Sequence, residues 1–427
     1  MTAHGEIVEA DVAVVGAGPA GIAAAVRAAE SGRRVVVLDE SPNVGGQVWR
    51  HRAGDRAPAA AKRWLERLER SGARVVAGTS VVDARSDERG GFVLAAERHD
   101  GAMTVRASRL VLATGARERF LPFPGWTLPG VVGIGGAHAL LAAGLDVAGR
   151  SVVIAGSGPL LLPVAASLRA AGARVKLVAE QAPPRRVAAF VGGLWRRPAA
   201  LLDAARYRAR FARTPYRFGW WVREARGDSV LREVVVTDGR ETRTICCDLL
   251  CTGYGLVPNT ELPRLIGCAV ERGAVVVDDE QRTSVEGVCC AGEPTGVGGV
   301  ELALVEGEIA GLCVAGRSGD ARPLRARRAR LRRLAETMER AFAPRDELRS
   351  IVTRETIVCR CEDVAFGTVQ PEWSPRQAKL YTRVGMGPCQ GRVCGPALSF
   401  LCGWPADSVR APVAPARLAV MADAPAD

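Results

Sequence analysis

Residues 11–40 read DVAVVGAGPAGIAAAVRAAESGRRVVVLDE, and residues 151–180 read SVVIAGSGPLLLPVAASLRAAGARVKLVAE. The two stretches align without a gap at an offset of 140 residues, matching Gly16, Gly18, Pro19, Gly32, Val35 and Glu40 to Gly156, Gly158, Pro159, Gly172, Val175 and Glu180. Each copy runs apolar strand, glycine turn, alanine-rich helix, short turn and second apolar strand, the pattern of a βαβ unit. Two copies predict an α/β protein with two doubly wound dinucleotide-binding (Rossmann-like) domains.

Working outward, residues 74–82 and 92–106 carry β-type runs, and residues 110–115, LVLATG, end a strand in a tight turn at Gly115. Beyond the second copy, residues 231–236, 245–253, 275–278 and 287–292 read as strands and residues 300–315 as an apolar helix. The expected organisation is a discontinuous first domain (1–118 and 280–320), a second nucleotide-binding domain (119–279) and a basic helical linker (321–350). A small helical C-terminal domain (351–405) follows, then a disordered alanine- and proline-rich tail (406–427).

Gly16-Ala17-Gly18-Pro19-Ala20-Gly21 is a complete GxGxxG between strand and helix. Gly16 permits the turn, Gly18 admits a pyrophosphate to the backbone, and Gly21 lets helix and strand pack closely, so that the helix N-terminus faces the phosphates. Asp39, at the end of the second strand, can accept hydrogen bonds from an adenosine ribose. The second copy is weaker. Leu161 stands at the third glycine position, which holds the helix further from the strand. Ala179 aligns with Asp39, and Glu180, one residue on, is expected to face the other way because neighbouring strand residues alternate. NAD(P), another adenine nucleotide and a vestigial site remain open for Gly156, Gly158 and Glu180, with NADP least favoured.

The 427 residues carry 58 Lys and Arg against 46 Asp and Glu, a net charge of +12, and are 48% hydrophobic, which excludes disorder for most of the chain. Arginines are dense over residues 185–217 and 322–349; the second stretch lacks the interleaved aromatics of a base-stacking surface, and solvated helix faces are favoured over a docking surface for nucleic acid or an acidic partner, so no nucleic-acid partner is expected. Residues 1–9 have no basic leader. Residues 120–145 lack charge, but Pro122, Pro124 and Pro129 break any membrane helix; a soluble, cytoplasmic protein with no transmembrane segment is expected.

Cys359-Arg360-Cys361, then 27 residues, then Cys389 and Cys394 form a C-x-C plus C-x4-C array. Four thiolates suit a [2Fe–2S] cluster, two on each iron, and the alternative is structural zinc. Gly385, Gly387, Gly391 and Gly395 leave room for it, Arg360, Arg383 and Arg392 offset its charge, and Asp363 is placed to cap the next helix. The remaining cysteines read as buried small hydrophobes. No C-x-x-C occurs in the chain, which excludes the usual thioredoxin-reductase chemistry. The histidines, 4, 51, 99 and 138, form no motif; His51, just after Gly45-Gly46-Gln47, reads as a surface residue.

The order GAGPAG, GGQ (45–47), LATGARER (112–119) and CAGEPTGVGG (290–299) resembles the two-dinucleotide-binding-domain flavoproteins. That resemblance implies FAD contacts at Gly16, Gly18, Gly21, Asp39, Gly46, Gln47, Thr114, Gly115 and Gly292. The family's usual Asp after the late Ala-Gly is Glu293 here. CRCEDV and GMGPCQGRVCG resemble the bacterioferritin-associated-ferredoxin-like (BFD-like) [2Fe–2S] domain, in the form fused to certain flavoprotein subunits. With residues 123–131 and 155–162, the chain resembles the flavoprotein subunits of hydrogen cyanide synthase, opine oxidase and D-hydroxyproline dehydrogenase up to about residue 405. The resemblance implies a glycine-oxidase-like partner subunit and leaves room for a small ferredoxin-like one. Three functions follow as expectations. The first is an electron-transfer subunit of a heteromeric amino acid or amine dehydrogenase. The others are a stand-alone NAD(P)H-dependent flavin reductase and a non-catalytic nucleotide-binding scaffold.

Overall fold

The computed structural model describes residues 6–49, 59–406 and 408–422. His4 and His51 lie outside the described residues. The chain divides into two compact units, one of Met1–Arg117, Val257–Glu336 and Ser408–Asp427, the other of Glu118–Leu256 and Thr337–Asp407.

The first unit is built on a seven-stranded sheet. Arg74–Ala77, Val35–Asp39, Glu6–Val15 and Gly101–Leu112 lie side by side in parallel. Along the far edge of Gly101–Leu112, Phe92–Arg98 pairs antiparallel over the first half and Val288–Cys290 parallel over the end, with Thr79–Ser86 outermost. Every residue of Val35–Asp39 is buried, as a strand covered on both faces requires. Pro19 starts the first crossover helix, Pro19–Glu30, because its fixed φ suits a first turn and its missing N–H has no intrahelical partner to lose. The helix buries Ile22 and a run of alanines. Its outer neighbour, Val300–Val314, lies backbone against backbone upon it: a Cβ on Gly307 would sit 2.1 Å from the Ala20 carbonyl oxygen, and one on Gly311 2.3 Å from that of Ala24.

In the second unit, Tyr216–Phe218, Arg174–Glu180, Ser151–Gly156, Leu249–Gly253 and Val131–Gly133 make a five-stranded parallel sheet. A three-stranded antiparallel sheet, Trp221–Arg226, Glu233–Thr237 and Thr242–Cys246, packs on it around Phe123, Val153, Leu177, Val222 and Val234. The helix Leu161–Ala170 begins two residues later than its counterpart in the repeat, which would start at Pro159. In the first unit a Cβ on Gly21 would meet the Gly16 carbonyl oxygen at 1.8 Å. Leu161 carries that Cβ, so the late start is the consequence expected of losing the third glycine.

Residues 337–407 belong to this second unit. A hairpin of Ile357–Cys359 and Val364–Ala365 precedes the helix Pro375–Thr382, which Ser374 and Gln377 close with a reciprocal capping box. A last helix, Cys394–Cys402, stops at Gly403 in the left-handed conformation. Val358, Val364, Ala378, Leu398 and Trp404 form a separate core, and Trp126 Nε1 donates to the Ile357 carbonyl at 2.6 Å.

Four expectations change. Residues 257–279 fold with the first unit, where Leu262, Cys268 and Val275 enter the core under its sheet, so the junction falls at 257 instead of 280. The tail is not disordered over 408–422: Val413 N donates to the Val82 carbonyl at 2.8 Å, Arg417 pairs with Glu97 at 2.6 Å, and Val420 is buried against Val82 and Ala95. Its alanines and prolines concealed just enough apolar contact to dock. Asp363 caps no helix; with φ of 49° it turns the chain between the two hairpin strands. Arg383 pairs with Glu362 at 2.7 Å, so its charge is already met. The linker is the helix Arg322–Phe342, shared between the two units.

Candidate functional site

The first glycine loop is open. Gly16, Gly18 and Pro19 are half-exposed, while Asp39 beneath them is buried. The Asp39 carboxylate accepts from Ala17 N and, at 2.8 Å, from Ser41 N, so it both closes the loop and marks the end of the second strand. Gly46 (φ 60°) crosses beside it: a Cβ there would be 2.9 Å from Gly18 Cα. A Cβ on Gly18 meets nothing nearer than 4.0 Å, so the space above that residue is free for a ligand to approach the backbone. Gln47 is exposed nearby.

Two further segments of the same unit complete the surroundings. Thr114 Oγ1 donates to the Asn259 carbonyl at 2.7 Å, and Asn259 Nδ2 returns a bond to the Thr114 carbonyl at 2.8 Å, so the Thr114 hydroxyl proton is committed. Asn259 N donates to the Gly115 carbonyl at 3.0 Å. The late loop turns at Gly292 (φ 79°), where a Cβ would be 2.8 Å from Ala20 Cβ on the crossover helix. Glu293 accepts from Gly299 N at 2.9 Å through Oε1, whereas its Oε2 is buried without a partner. Burial pushes the Glu293 carboxyl upward despite those backbone donors. A buried acceptor with nothing to accept is what a ligand hydroxyl, such as one on a flavin's ribityl chain, would satisfy. The extra methylene of glutamate thus leaves one oxygen available.

Two residues here escaped the sequence reading. Glu306, fully buried on Val300–Val314, accepts from Gly292 N at 3.0 Å and Thr295 Oγ1 at 2.9 Å and pairs with Arg332. Arg332 also donates to the Thr295 carbonyl at 2.8 Å. A largely apolar helix with three glutamates hid the first and an arginine-rich linker the second.

At the second loop, Glu180 occupies the place of Asp39. Its carboxylate accepts from Gly158 N and from Ala182 N, both at 2.7 Å, as Asp39 does from residues 22 before and two after. The expectation from alternation fails because the strand carries a bulge at Lys176: the register with Ser151–Gly156 shifts by one between Val175 and Leu177, so Glu180 lies opposite Gly156. Burial raises the Glu180 carboxyl to about 7, against the pull of its two backbone donors.

The four C-terminal cysteines come together as two pairs. Cys359 and Cys394 share a hydrogen bond, which holds the Cys359 thiol down at about 5 and pushes that of Cys394 far up. Cys361 and Cys389 are likewise in contact. Gly387 is pressed against them: a Cβ there would be 2.2 Å from Cys361 Cβ. Among the described residues no group of three or more His, Cys, Asp or Glu converges on one metal-sized point. Of the other cysteines, contrary to the expectation that all are buried, Cys246 is exposed and Cys313 and Cys402 are half-exposed, the thiol of Cys313 drawn to about 6 by a hydrogen bond with Cys289; the rest are buried.

The sequence profile of the pyridine nucleotide-disulphide oxidoreductase family matches residues 10–308, from the first βαβ unit through the late glycine loop. The chain belongs to that family. As an FAD-dependent oxidoreductase of this family it has relatives that are subunits of larger enzymes. It is 34% identical to an opine oxidase subunit of Rhizobium meliloti over 97% of this chain and 98% of that one. It is 33% identical to the HcnB subunit of hydrogen cyanide synthase from Pseudomonas aeruginosa over 89% and 90%. The fold of this oxidoreductase is also that of L-proline dehydrogenase from P. horikoshii (TM-score 0.68, 21% identity, covering 97% of this chain and 80% of the other). Among the described residues no helix is long and apolar enough to cross a membrane.

Proposed function

We propose that this chain is the FAD- and [2Fe–2S]-containing electron-transfer subunit of a heteromeric amino acid or amine dehydrogenase or oxidase. The observation that carries the reading is the pairing of Cys359, at the end of a strand, with Cys394, at the start of a helix, and of Cys361 with Cys389. Three residues in that region, Asp363, Arg383 and Gln390, hold positive φ without being glycine. The reading's support from relatives is that the opine oxidase and hydrogen cyanide synthase chains are, by name, subunits.

FAD would be held by the backbone at Gly16, Gly18, Gly21 and Gly46, by Asp39 at the ribose and by Gly292 and Glu293, with Thr114 and Gly115 lining the approach. When bound, it supplies a two-electron acceptor that releases electrons singly, and the cluster a one-electron relay. The protein's part is to hold both centres and keep their surroundings fixed. Arg332 and Glu306 brace the late loop, and Glu362–Arg383 ties the two cysteine turns together. Substrate oxidation belongs to a glycine-oxidase-like partner, with a small ferredoxin-like chain beside it.

The test is reconstitution with the chains encoded beside this one, followed by amine-dependent reduction of a dye. Turnover should require the partner and fall at least tenfold when Cys361→Ser is introduced. Full amine turnover by this chain alone contradicts the subunit reading.

A further inference from the structure

The two glycine fingerprints differ in what lies over them. The first is open, whereas Gly156, Ser157, Gly158, Glu180 and Gln181 are all buried, the last two completely. Their cover is the chain itself, at the end of the helix Arg322–Phe342 and the turn beyond it. Ser157 Oγ donates to the Phe342 carbonyl at 2.6 Å. Gln181 Nε2 donates to the Ala343 carbonyl at 3.1 Å, and Gln181 Oε1 accepts from Arg345 N at 3.2 Å. The Phe342 ring stands edge-on to Phe190, with centroids 5.3 Å apart, and lies 3.9 Å from where a Gly158 Cβ would be. The Arg345 guanidinium stacks on Trp221 at 4.2 Å.

The chemistry of the match is specific. The last carbonyls of a helix lack intrahelical donors and carry the negative end of its dipole. A dinucleotide fingerprint offers donors to an anionic, acceptor-rich ligand. Here two side chains beside the fingerprint, Ser157 and Gln181, supply the donors that those helix-end carbonyls lack. We propose that residues 342–345 are a built-in occupant of the second dinucleotide site, a peptide strap whose carbonyls are the acceptors a nucleotide would bring, and that the seated strap excludes free nucleotide. The site keeps the shape of the first fingerprint, including the acid at the end of the second strand, and uses it to anchor the entry to the cysteine domain. NAD(P)H is then no reductant of this chain while the strap is seated. The inference does not depend on whether the cysteines carry a cluster.

Hydrogen exchange on the full-length protein, with flavin bound and with or without millimolar ADP or NADH, reads the site directly. In the wild type neither probe should protect residues 156–162 or 179–182. In the double variant Ser157→Ala/Gln181→Ala, exchange at 342–346 should rise at least tenfold and ADP should then protect 156–162. Wild-type exchange protection in the strand Leu249–Gly253 shows that the second unit of the variant folds, and Phe342→Ala, which leaves the donors in place, gives an independent loosening. Nucleotide-dependent protection of 156–162 in the wild type overturns the proposal. So does a variant whose strap exchanges freely without gaining nucleotide binding, or one whose strap exchange is unchanged.

Discussion

Asp39 and Glu180 do the same local work in different electrostatic settings. Each accepts from a backbone N–H of its glycine loop and from one two residues on, yet only Glu180 has no exposure to water. Its folded pKa lies above the unfolded one, so its contribution to stability is complete at low pH. That contribution is lost as pH rises from the ordinary carboxylate range through about 7. The loss amounts to at most about 3 kcal/mol. Glu180→Gln should therefore gain on the wild type between pH about 5 and about 8, read as a melting temperature that falls less over that range. Parallel curves would place the proton elsewhere. Arg332 sets the opposite case, a cation answering the buried Glu306. Arg332→Met leaves that carboxylate with Arg328, 3.6 Å away, as its remaining cation and should cost about 2 kcal/mol. Adding Glu306→Gln should restore part of it, whereas strictly additive losses in a denaturant cycle would deny the coupling.

At the level of elements, the first unit depends on how closely Val300–Val314 can approach Pro19–Glu30. Gly307 and Gly311 permit that approach, and no rotamer relieves a Cβ that meets a carbonyl oxygen at 2.1 Å. Gly307→Val should lower stability by about 2 kcal/mol or more and loosen flavin, because the same helix carries Glu306 to the late loop. Equal flavin retention in the variant would uncouple helix spacing from the site. The docked tail is a smaller addition. Removing residues after 406 exposes Val82 and Ala95, buried with Val420, and should lower the melting temperature of the first unit by a few degrees, measurable by calorimetry. An unchanged melt would show that the docking contributes nothing.

Across the whole molecule, the repeat at 11–40 and 151–180 made both nucleotide-binding folds legible, because glycine turns and apolar strands are local patterns. The bulge at Lys176 was not legible: a single extra residue in one strand leaves no mark in composition, and it reversed the expectation for Glu180. Nor was the use of the arginine-rich helix. Arg332 and residues 342–345 reach partners far away in sequence, and a charge run looks alike whether it meets solvent or a buried acid. The cysteine spacing named its four residues, while their pairing, 359 with 394 and 361 with 389, needed the fold.

As an electron-transfer subunit, one polypeptide is to hold two different redox centres. Flavin, iron and acid-labile sulfide analysis of the purified chain, with an electron paramagnetic resonance spectrum after dithionite reduction, tests that most directly. The prediction is one flavin, about two irons and two sulfides per chain, and a spin-½ signal lost in Cys361→Ser. A chain without flavin, or one whose cysteines hold a single zinc and give no signal on reduction, would contradict it.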